Sequence, residues 1–255
     1  MAAQMQEVVV WRRASVRHEQ PPVSAVLYID GVLAVGAWVG ISAGLQHSFR
    51  HGALFWACLI VGVFAATLKV PLPGIEGAFS LGFVGSLVAV QQLDFSEAVV
   101  VGTLVGITQT LWKTRRRPKP VQIAFNAANV ANSTALAYGV YRGLLCSNPD
   151  SCSLVLLAAG AAFYVVNTGT VASLLCLLEG KPLGQMLEHW CVWSFSYYLA
   201  GAFLAVFAQS IAGLPLVPLV LLPPLFIAHV VYRGYVAGRK ESADNEVFEV
   251  SSPSI

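Results

Sequence analysis

Apolar stretches of ~20 residues, the length that crosses a bilayer as a helix, recur along the chain between short polar breaks. They read roughly as Ser24–Gln46, Gly52–Val70, Gly74–Leu93, Ser96–Trp112, Val121–Leu145, Ser153–Leu178, Met186–Ile211 and Leu214–Tyr232. The stretches are continuous rather than alternating, which predicts helices and excludes a membrane β-barrel. The expected fold is all-α, a polytopic transmembrane bundle of about eight spans. It divides into an N-terminal arm (1–23), a helical domain (24–235) and a disordered tail (236–255). Pro71, Pro73, Gly74 and Gly77 break regular helix between the second and third stretches and predict an extended or re-entrant entry there. The chain carries no convincing internal repeat.

Polar positions inside the stretches are few, and their spacing matters. In the fifth, Gln122, Asn126, Asn129 and Ser133 recur at i, i+4, i+7 and i+11, which confines them to an arc of about 60° on a helix. Amides are costly against lipid, so this face must point inward. Two readings stand: hydrogen bonding between helices, or the polar wall of a small-molecule pocket. Asn167 in the sixth stretch, with Ser194 and Tyr197 in the seventh, could meet that face. Gly36, Gly40 and Gly44, and Gly102 and Gly106, have the spacing that lets helix backbones approach.

Composition agrees with the pattern. The chain is 56% hydrophobic and 11% charged, against about 25% charged in ordinary soluble domains. The charge is also unevenly placed. With the N-terminus in the cytoplasm, 13 of the 15 Lys and Arg fall on the cytoplasmic side, leaving Arg50 and Arg142 outside. That bias predicts both termini inside. Lys113, Arg115, Arg116, Arg117 and Lys119 form a basic cluster at the cytoplasmic surface, a topological anchor able to meet anionic lipid head groups. No nucleic-acid recognition fold accompanies it. Cys146 and Cys152 share an outer loop and are candidates for a disulfide, or for two unpaired loop cysteines. Asp94 and Glu97 have capping-box spacing at the start of the fourth span. Asp30 and Glu76 lie inside spans, where pairing with Lys69 or another boundary cation is expected. The histidines show no metal-ligand spacing, and no nucleophile–base or nucleotide motif appears. The expectation is a non-enzymatic protein without metal or cofactor, whose partner is the bilayer.

Four segments carry a resemblance: Leu68 to Leu81 with its Pro-Leu-Pro-Gly-Ile-Glu-Gly core, Trp112 to Asn126, Val166-Asn167-Thr168-Gly169, and Trp193 to Leu199. Together they resemble the membrane-integral, MASE-type N-terminal sensor region of bacterial HD-GYP and GGDEF signalling proteins. The resemblance implies a bacterial cytoplasmic (inner) membrane protein that senses a signal. Only 16 residues follow Arg239, so an output domain is not expected within them. The implied role is then a sensor-like or ligand-binding module working through a separate cytoplasmic signalling partner. The alternatives are a small-molecule transporter or the substrate-capture subunit of an uptake system, and a structural or scaffolding bundle.

Overall fold

The structure is a computed structural model. It describes residues 21–46, 50–71, 78–112, 117–147 and 152–180, with shorter stretches at 184, 198–199, 201–207, 217–227, 229–231 and 234. Six long elements follow the apolar pattern: α1 (Val23–Gln46), α2 (Gly52–Thr67), α3 (Gly82–Gln92), α4 (Phe95–Leu111), α5 (Pro120–Ser147) and α6 (Cys152–Glu179). A 3-10 turn, Val217–Leu221, precedes further helix at 222–227. Among the described residues the architecture is therefore all-helical apart from one hairpin. Among the described residues, α1 and the stretch Cys152–Leu178 of α6 are long and apolar enough to cross a membrane. At 28 residues α5 is longer than α1, but its amides dilute its apolar character.

Local chemistry sets the helix ends. Pro120 occupies the first turn of α5, and Gln122 Oε1 accepts the Lys119 N–H at 2.7 Å, which satisfies a donor the helix leaves open. Asp94 and Glu97 form the expected capping box at α4. Gly180 ends α6 with φ 65°, a conformation that costs glycine little.

The second and third stretches depart from the expected spans. Helix α2 stops at Thr67. Beyond it β1 (Lys69–Pro71) and β2 (Ala78–Ser80) pair antiparallel, Lys69 opposite Ser80 and Pro71 opposite Ala78. Proline has no N–H to continue the helical ladder, so the chain turns extended before Pro71. Ser80 Oγ latches the hairpin by donating to Ala66 O at 3.2 Å. The predicted extended entry is present, and it shortens α3 to 11 residues. That is ~16 Å of helix, half of the ~30 Å hydrocarbon core.

Helix α3 is the centre of the bundle, with every residue from Gly82 to Val90 buried. Phe83, Leu87 and Val90 meet Val61 and Ala65 of α2, Val101 and Val105 of α4, and Leu156 and Phe163 of α6 in one core. Backbones touch where side chains vanish: a Cβ on Gly85 would lie 2.9 Å from Gly62 N. The Gly102/Gly106 pair packs α4 on α5, since a Cβ at Gly106 would meet Asn126 O at 2.9 Å. In α1 Gly36 is used this way, against Ala128, while a Cβ on Gly40 or Gly44 would meet nothing within 4 Å. Helices α1 to α6 alternate in direction. One end gathers Ala25, Ile29, Phe125 and Leu174. At the other, His51 before α2 meets Glu97 at the start of α4.

Candidate functional site: a buried polar chain across three helices

The inward face of the fifth helix is where the spacing put it, but its amides divide among three neighbours. Asn126 Nδ2 donates to Thr110 Oγ1 of α4 at 3.0 Å. Asn132 Nδ2 donates to Val32 O of α1 at 3.3 Å. Asn129, 2% exposed, turns to α6: its Nδ2 donates to Asn167 Oδ1 at 2.8 Å. Asn167 Nδ2 then donates to Tyr198 Oη at 2.6 Å. A chain of side-chain hydrogen bonds thus links α5, α6 and the helical segment at residue 198. Ser133 bonds within its own helix, to Asn129 O at 2.8 Å, and Gln122 serves as the cap described above.

Tyr198 is held by aromatic neighbours, with ring centroids 4.3 Å from Phe83 and 4.9 Å from Tyr164. Gly201, one turn on, makes room for the Phe83 ring, which a Cβ would strike. Of the residues expected from the seventh span, Ser194 and Tyr197 lie outside the described residues. Tyr198, the next position, was not among the residues expected at this face. A helix turned by one position, ~100°, brings Tyr198 and Gly201 to the core together, and their i, i+3 spacing was the available signal. Thr110 was also missed. It ends a run of three β-hydroxy residues in α4, Thr103, Thr108 and Thr110, each donating to the carbonyl four residues back.

Asn129 Oδ1 accepts no hydrogen bond among the described residues and is shut off from solvent. Buried acceptors in folded proteins are nearly always matched by a donor; Asn132 Oδ1 on the same helix is likewise buried without one, so a donor-bearing guest, water or ligand, would be stabilised along this face.

No family, curated protein or solved structure matches this chain.

A second polar cluster closes the opposite end of α2 and α4. Glu97 is fully buried. It accepts the His51 N–H at 2.9 Å and the Asp94 N–H at 3.2 Å, and its Oε2 lies 2.8 Å from His51 Nδ1. Folding therefore joins residues 46 positions apart, a proximity invisible to a search for ligand spacing. The donor atoms of His51, Asp94 and Glu97 lie within 4.8 Å of one another, close enough to hold a cation. Glu97 is already committed to three hydrogen-bonding partners, which makes the cluster a clasp between helix ends. Beside it a solvent-open depression of about 550 Å3 is lined by Gln46, Arg50, Asp94, Phe95 and Tyr138. The Arg142 guanidinium caps the Tyr138 ring at 5.2 Å and donates to Leu93 O at 3.3 Å.

Three other expectations have different outcomes. Arg117 and Lys119 of the basic cluster are exposed, while Lys113, Arg115 and Arg116 lie outside the described residues. Cys152 is a free thiol with its Sγ 3.1 Å from Tyr141 Oη, so the candidate disulfide is not formed; the Cys146 side chain lies outside the described residues. Asp30 makes no ion pair with Lys69 or any other described residue, because its side of α1 faces away from the bundle. Glu76 lies outside the described residues.

Proposed function

We propose that the chain is a multi-pass protein of a bacterial cytoplasmic membrane, with about eight spans and both termini in the cytoplasm. In this reading it works as a non-enzymatic, sensor-like module that binds a small polar ligand and acts through a separate partner. The membrane part is supported by the apolar surface: Leu27, Trp38 and Leu45 on α1, Leu154 and Val165 on α6, and Val231 are each more than 60% exposed. A water-facing protein rarely shows so much apolar area. The orientation rests on the Lys and Arg bias, and the sensor role on the MASE-type resemblance.

The observation that carries the binding role is Asn129 Oδ1, a buried acceptor without a donor at the head of the Asn129–Asn167–Tyr198 chain. A guest with a hydroxyl, amine or amide would satisfy it. Such a guest would add a bond at the junction of three helical segments, so occupancy would bias their packing. The test is a metabolite screen by thermal shift on detergent-purified protein. A ligand at one hundred times its Kd adds ~2.7 kcal/mol of stability, and Asn129→Ala should abolish the shift. A hit that binds Asn129→Ala as well as wild type would remove the site from this face. A second reading, substrate capture or transport, is favoured by the depression open at the Arg50 end. Uptake of the same ligand into liposomes would distinguish it.

A further inference from the structure

Helix α1 touches the bundle along one side only, through Ala25, Ile29, Gly36 and Ala43. Between the polar ends at Ser24 and Gln46 its outward side is apolar apart from Asp30, which is exposed and makes no hydrogen bond or ion pair among the described residues. Asp30 lies seven residues into the helix, ~10 Å from its start. A carboxylate there is expensive in lipid, and aspartate is too short to reach the interface as Lys and Arg do. Small residues follow Asp30 over the next two turns of that side: Ala34 and Ala37 are both exposed, and a Cβ on Gly31 would meet nothing within 4 Å, while the larger Trp38 and Ile41 flank them further along. Small side chains allow a second helix to come close.

We propose that this face of α1 docks a transmembrane helix of a partner protein, one that places a lysine or arginine against Asp30. Charge selects the occupant. Helix α1 holds no Lys or Arg of its own, so a second copy docking α1 on α1 would set carboxylate against carboxylate. Anionic lipid head groups are repelled for the same reason. The proposal rests on the membrane reading above and supplies the partner which that reading requires.

The test uses the full chain, donor-labelled and reconstituted in phosphatidylcholine liposomes. The probe is an acceptor-labelled polyleucine transmembrane peptide carrying one Lys at the depth of Asp30, or Leu or Glu in its place. Wild type should bind the Lys peptide on the order of tenfold more tightly than the Leu peptide. Asp30→Asn should bind the Lys and Leu peptides alike, and Asp30→Lys should prefer the Glu peptide. Equal binding of Lys and Leu peptides by wild type overturns the proposal, as does an Asp30→Asn variant that keeps the preference. Energy transfer between two labelled copies of the chain that excludes the peptides also overturns it, and assigns the face to self-association. Alkaline carbonate extraction of the native membranes keeps the two readings apart. Release of the chain fails the membrane reading itself, whereas retention without a Lys preference fails the docking site alone.

Discussion

Replacing Asn167 by alanine should loosen the bundle by an amount the geometry bounds. The truncation removes the 2.8 Å bond from Asn129 and the 2.6 Å bond to Tyr198. Polar contacts between membrane helices average about 0.6 kcal/mol and reach about 1.7, so two bonds give about 1.2 to 3.4 kcal/mol. Asn129 and Tyr198 are 2% and 7% exposed, so neither gains water in exchange, while Asn129 Nδ2 keeps its 3.3 Å bond to the Asn167 carbonyl. The measurement is unfolding of the detergent-purified protein in a denaturing-detergent titration, followed by circular dichroism. A double-mutant cycle adds direction. Asn129→Ala with Asn167→Ala should couple by about 0.6 to 1.7 kcal/mol. Asn126→Ala with Asn167→Ala should be additive within about 0.5 kcal/mol, since Asn126 bonds to α4 instead. Additivity in the first pair together with coupling in the second would refute the hydrogen-bond chain.

Three further outcomes follow from the packing. Gly85→Ala drives a methyl into the Gly62 backbone and should cost about 1–3 kcal/mol. Gly40→Ala, on an open face, should be neutral or stabilising by up to about 1 kcal/mol; similar losses at both sites in the same titration would contradict the packing. Glu97→Ala strands the N–H groups of His51 and Asp94 and should cost about 2–4 kcal/mol, whereas Glu97→Gln, which keeps an acceptor, should cost less. Maleimide should label Cys152 equally with and without reductant, and labelling only after reduction would show a disulfide.

The existence of the first six helices was legible because each lies within a largely apolar run, and the capping box at Asp94 and Glu97 was legible because it is local. The inward direction of the Asn126/Asn129 face followed from period alone. Which neighbour each amide meets did not, since a 100° step per residue sends Asn126 and Asn129 to different helices. The length of α3 was misread for a related reason. Hydrophobic content alone does not separate a strand from a helix, and Lys69–Pro71 and Ala78–Ser80 are apolar enough for either. The His51–Glu97 contact spans two helices and left no mark in local spacing. Asp30 shows the opposite failing: its sequence position was plain, but which side of α1 meets the bundle is settled by Gly36 packing on Ala128.

The burial of α3 has a bearing on how the protein is made. A segment of 11 residues, with glycines at 82 and 85 and glutamines at 91 and 92, is a poor candidate for leaving the translocon on its own. Its neighbours α2 and α4 emerge immediately before and after it and form the walls it later occupies. In a bilayer, α3 would therefore enter together with α4 as a pair, held back by the hairpin at its start. The hairpin that begins at Lys69 and the Glu97 clasp thus sit at opposite ends of the same short helix and hold it between the neighbours it inserts with.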